Sequence, residues 1–113
     1  MTAEDGDLRI DYVEFGSDDM KATQRFLTEA FGWRFNEYGD HYRDVSGAGL
    51  GAGLHDEGGP PLVVLRTDDL EGALAIVRGA GAAITKDIFD FPGGRRFEFT
   101  APGGVRLAVW AEG

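Results

Sequence analysis

Short apolar runs alternate with longer amphipathic stretches along this chain, and the pattern occurs twice. Residues 12–30 read YVEFGSDDMKATQRFLTEA and residues 62–80 read LVVLRTDDLEGALAIVRGA. Val13 falls on Val63, Phe15 on Leu65, Ser17 on Thr67, and Asp18 and Asp19 on Asp68 and Asp69. Each copy predicts an apolar strand, then a hydroxyl residue with two aspartates, then a helix. Ser17 and Thr67 are expected to be the N-caps, because their oxygens can accept from orphan N–H groups of the first turn. The paired aspartates then lie at the positive end of each helix dipole. Positions 20, 23, 26, 27 and 30 are expected to form one core-facing stripe, and positions 70, 73, 74, 77 and 80 the other.

Three further strands are predicted after each helix. In the first half they are Trp33–Glu37, His41–Val45 and Leu50–Leu54; in the second, Ala83–Lys86, Arg95–Thr100 and Val105–Trp110. Glycine and proline clusters separate them, as turns that need positive φ require. The offset drifts from 50 to about 55 here, which sets Gly53 on Ala108. Each half therefore reads β-α-β-β-β, and the fold class is α+β, in one domain built from two βαβββ modules. The modules are expected at about 8–55 and 61–111, with the run DEGGPP at 56–61 as linker.

Composition narrows the function classes. The 113 residues carry a formal net charge of −9, which repels a phosphate backbone and argues against a nucleic-acid partner. The acidic surface serves solubility, or it concentrates cationic ligands. With no cysteine there is no disulfide framework, thiol catalysis or thiolate metal site. Met1–Asp7 is polar and acidic, unlike a signal peptide, and no apolar run approaches the roughly 20 residues a membrane helix needs. A cytoplasmic protein without membrane contact is the expectation. No GxSxG, P-loop or dinucleotide fingerprint occurs.

Two repeats of about 50 residues, with S/T-D-D before each helix and P-G-G before the last strand, resemble the vicinal-oxygen-chelate superfamily. That group includes glyoxalase I, extradiol dioxygenases, fosfomycin resistance enzymes and bleomycin resistance proteins. The resemblance runs from Ile10 to Trp110 and implies curved mixed sheets around a shared cavity. It also implies pairing of chains, so a homodimer is expected. Metal enzymes of this superfamily hold their ion with side chains on the first and last strands of each module. Those four positions map to Tyr12, Gly53, Leu62 and Ala108 here, and three of them carry no donor atom. No metal and no cofactor is therefore expected.

Strand alternation predicts which side chains face the implied cavity. With Val13, Phe15, Phe97 and Phe99 against the helices, Tyr12, Glu14, Leu62, Val64, Arg66, Arg96, Glu98, Arg106, Ala108 and Trp110 face the other way. Glu14 and Glu98 are the candidate catalytic pair, because burial raises a carboxyl pKa and can separate acid from base. The opposing reading makes each a partner of Arg66, Arg96 or Arg106. Tyr12, Trp33, His41, Leu62, Arg96 and Trp110 are the candidate ligand-binding residues, the aromatics by stacking on a planar or cationic molecule. Trp33 also reads as a core plug at the helix exit, and His41 and His55 as surface residues. The function implied is metal-free binding of a small organic molecule, with the bleomycin-resistance type as nearest analogy. The alternative is an enzyme (lyase, isomerase or dioxygenase) that uses the carboxylates or a displaced metal site.

Overall fold

The computed structural model describes residues 7–113, which form eight strands and two helices. In order these are β1 (Arg9–Gly16), α1 (Met20–Phe31), β2 (Arg34–Glu37), β3 (Tyr42–Ser46), β4 (Gly51–His55), β5 (Leu62–Arg66), α2 (Leu70–Gly79), β6 (Ala83–Phe91), β7 (Gly94–Ala101) and β8 (Val105–Glu112). They divide into two compact units. One is Tyr12–Leu62; the other is Val63–Gly113 together with residues 7–11. Among the described residues no helix is long and apolar enough to cross a membrane.

The two units share one strand plan. In the first the order is β2-β3-β4-β1, with β1 parallel to β4 and the other pairs antiparallel. In the second it is β5-β8-β7-β6, with β5 parallel to β8. The register reproduces both repeat offsets, since Glu14 lies opposite Gly53 as Val64 lies opposite Ala108.

Each helix begins later than the repeat suggests. The caps are Asp19 and Asp69, whose carboxylates accept from the N–H groups of Ala22 (3.1 Å) and Gly72 (3.0 Å). Ser17 and Thr67 instead accept from the N–H of Asp19 (2.9 Å) and Asp69 (3.1 Å), forming hydroxyl turns one step upstream. In S/T-D-D either end can cap, and here the second aspartate reaches the N3 amide. α1 stops at Gly32, which takes the left-handed φ of 76° and donates its N–H to Thr28.

The core of the second unit is apolar. Leu70, Ala73 and Leu74 of α2 pack on Phe97, Phe99, Val109 and Ala111. In the first unit Met20 joins Val45, Ala52 and Leu54, with Phe15, Trp33 and Phe35 against them. Here the expected stripe is corrected: Phe26 is 60% exposed, and Ala30 and Ala80 are exposed as well. Position 26 lies about 120° around the helix from Met20, while 24 and 27 lie near it. The residue turned inward is Gln24, whose side-chain oxygen accepts from Nε of buried Arg43 (3.2 Å). Sequence patterning by hydrophobicity alone passes over such a polar pair. β6 is also longer than expected, reaching Phe91, because two register shifts let the strand continue past Lys86 to the tight turn at Pro92-Gly93.

Candidate functional site

Since Phe15, Val45, Ala52 and Leu54 face α1, their strand neighbours Tyr12, Glu14, Tyr42, Asp44 and Gly53 lie on the opposite face of the first unit's sheet. Glu14 is 9% exposed. Its carboxylate accepts from the Tyr42 hydroxyl at 3.2 Å, and the Tyr42 and Tyr12 hydroxyls are 2.6 Å apart. Tyr42 has one proton and directs it at Glu14, so Tyr12 is the donor between the phenols. The result is a chain, Tyr12 to Tyr42 to Glu14. Burial, then the Tyr12 bond and the Glu14 charge, hold the Tyr42 pKa far above the usual tyrosine value, so this phenol stays neutral.

Gly53 makes the chain possible. A Cβ there would collide with the Tyr42 and Tyr12 hydroxyl oxygens. The two phenols thus fill the volume that a side chain at 53 would occupy.

In the second unit Phe97, Phe99, Val109 and Ala111 face α2, which places Arg96, Glu98, Ala108 and Trp110 on the other face. Arg96 Nη2 donates to Glu98 at 2.6 Å, with side-chain exposures of only 16% and 11%. Glu98 is therefore held in a nearly buried ion pair. Such a pair is costly to break from one side, which favours its structural role over its catalytic one. The indole N–H of Trp110 donates to both oxygens of Asp11, at 3.1 and 3.3 Å.

Trp33 packs on the helix-side cluster of the first unit and against Phe31, with ring centroids 5.3 Å apart. His41 is exposed and sits 2.6 Å from the Asp56 carboxylate, whose hydrogen bond and charge raise its pKa. Leu62 is buried and offers packing surface only. Two residues with a place here were not singled out from sequence: Tyr42, and Asp11 as the anchor of Trp110. Tyr42 was accessible to the alternation rule, since it lies two residues before Asp44 on the strand whose Val45 faces the core.

The metal implied by the superfamily was tested against these side chains. Position 53 has no side chain and its space is taken by the two phenol oxygens; Leu62 and Ala108 have no donor atoms. Among the described residues no group of three His, Asp or Glu is placed to hold an ion. The donor set does not fit a divalent metal.

Residues 9–109 match the family model of the glyoxalase/bleomycin resistance protein/dioxygenase superfamily. The chain belongs to that superfamily. Among solved structures it resembles the Mn(II)-bound glyoxalase from Novosphingobium aromaticivorans, at 20% identity and a TM-score of 0.71. That match covers 92% of this chain but spans only 40% of the other's length. A superfamily member from Vibrio splendidus 12B01 is 16% identical with a TM-score of 0.74, over 93% of this chain and 99% of that one. The methylmalonyl-CoA epimerase from Mycobacterium tuberculosis is 14% identical with a TM-score of 0.68, over 92% and 87%. At such identities these likenesses speak for the fold. No curated protein matches the sequence.

Proposed function

We propose that the chain is a metal-independent member of its superfamily that binds a small organic molecule on the sheet face opposite its helices. The observation that carries this reading is the filled position at Gly53, where two phenol oxygens occupy the space of a metal-binding carboxylate. The engagement of Glu98 by Arg96 supports it, because it leaves one fewer carboxylate for chemistry. The test is elemental analysis of protein purified without chelator. We expect well under 0.1 manganese, iron, nickel or zinc per chain; about one ion per chain would overturn the reading.

A second reading, an acid–base enzyme, is favoured by one feature. The Tyr12–Tyr42–Glu14 chain could carry a proton from a bound molecule to the Glu14 carboxylate. Turnover lost in both Glu14→Gln and Tyr42→Phe would select it.

The functional form is proposed to be a homodimer. Ile10, Phe26 and Phe31 are 58%, 60% and 58% exposed in the single chain, leaving apolar surface to cover. Light scattering at micromolar concentration should report twice 12.2 kDa; the single-chain mass would refute pairing.

A further inference from the structure

In the second unit four side chains stand in line across four strands. Phe89 on β6 lies opposite Arg96 on β7, Arg96 opposite Trp110 on β8, and Trp110 opposite Arg66 on β5. Directly paired residues share a face, so aromatic ring and guanidinium alternate along the row. The Arg96 guanidinium lies 5.7 Å from the Phe89 ring and that of Arg66 5.2 Å from the Trp110 ring. Lys86 adds its ammonium 5.5 Å from Phe89. Asp11 fixes the indole through its N–H.

This row is poorly built for a cation. An aromatic cage holds a cation through open π faces, and here the chain's own guanidinium and ammonium groups already lie over the Trp110 and Phe89 rings. Arg66 ends the row, and its only ionic partner among the described residues is Glu112, at 3.0 Å. Arg66 is 32% exposed and Glu112 66% exposed. Exposed ion pairs are weak and exchangeable. Glu112 thus shows that a carboxylate fits against Arg66 beside Trp110, and that it is not held there firmly.

We propose that this row selects a planar aromatic carboxylate, whose carboxylate takes the place of Glu112 on Arg66 while its ring packs alongside the stacked Arg66–Trp110 pair. The inference rests on the small-molecule-binding reading and adds the class of ligand. The guanidinium supplies two parallel donors that match a carboxylate, and its plane stacks on an aromatic ring. Glu112 acts as a built-in competitor. Arg66 is accordingly a specificity-determining residue that works through charge, and Trp110 one that works through shape.

Three probes of one shape test this: 1-naphthoate, 1-naphthylmethylammonium and 1-naphthalenemethanol, titrated into the full chain at low salt by calorimetry and tryptophan fluorescence. Naphthoate should bind about tenfold more tightly than the ammonium probe, as one charge-assisted bidentate contact implies. Arg66→Gln should weaken naphthoate about tenfold, and Glu112→Gln should strengthen it by a factor of about three. Trp110→Phe, which leaves Trp33 as reporter, should abolish the quenching. Unchanged circular dichroism keeps each comparison valid, and Glu112→Gln tests the idea independently if Arg66→Gln unfolds. Equal or tighter binding of the ammonium probe overturns the ligand class while leaving the binding reading in place. Naphthoate binding that is insensitive to both Arg66→Gln and Glu112→Gln, or absent for all three probes, overturns the platform itself. The metal content of the protein tests the metal-independent part of that reading separately.

Discussion

At the scale of single residues, the most consequential position is one without a side chain. Gly53 is buried, and its missing Cβ is what lets the Tyr42 and Tyr12 hydroxyls meet over β4. Closely packed interiors do not absorb added methyl groups freely, so filling this site displaces the phenols or the strand. Gly53→Ala should therefore destabilise the fold by about 1–3 kcal/mol. In a Tyr42→Ala background the ring is gone, and the same substitution should cost at least about 1 kcal/mol less, a coupling characteristic of residues in contact. Urea unfolding of the four proteins in the cycle measures this, and additive effects would show that Tyr42 does not fill the position. The same residues are a poor set of metal donors: the Tyr42 phenol donates its proton to Glu14, and burial keeps it from becoming a phenolate ligand.

Elements were more legible in the sequence than sites were. The repeat of apolar strand, S/T-D-D and helix at an offset of 50 placed both helices and the strands in order, because patterning and turn chemistry agreed there. The boundaries slipped where two residues could do one job. Asp19 and Asp69 cap the helices, and Ser17 and Thr67 hold the turn before them. The inner stripe of α1 misled for another reason. Gln24 lies inward because Arg43 donates to it, a long-range contact that no local window contains. Alternation placed Tyr12, Glu14, Arg96, Glu98 and Trp110 on the face away from the helices, since a strand's period of two leaves little freedom once one face is assigned. It could not say that Glu98 is bound by Arg96 two residues earlier, nor that Arg66 covers the Trp110 ring. Those are matters of side-chain distance, and they decide which carboxylate or cation remains open to a ligand.

At the scale of the whole molecule, the chain's two ends of sequence meet in one unit. Residues 7–11 belong with Val63–Gly113: Leu8 packs on the second core and Asp11 holds Trp110. Asp7 accepts from the Thr67 hydroxyl at 2.7 Å and from the N–H of Asp68 at 2.9 Å, at the entrance to α2. The corresponding turn of the first unit, at Asp18, is approached by Gly58 of the linker, where a Cβ would touch the Asp18 carboxylate. The segment leading into each repeat thus lies at the helix entrance of the other, and for Asp7 it bonds there. For Asp7 this has a pH signature. The Asp68 N–H first, then the Thr67 hydroxyl, hold the Asp7 carboxyl below its ordinary pKa. A carboxylate depressed in the folded state contributes stability that is complete above its unfolded pKa of about 4 and is lost as pH falls through the folded value. Asp7→Asn should therefore melt at a lower temperature than the native protein by a constant gap from pH 8 to about 5, and the gap should close as pH falls below about 4. The two proteins share every other acid-sensitive carboxylate and differ by one unit in net charge, so a narrowing gap reports mainly on this contact. Calorimetric melting at pH 7, 5, 4 and 3 measures it. A gap that persists undiminished at pH 3 would mean that Asp7 supports the α2 entrance by shape and not by its charge.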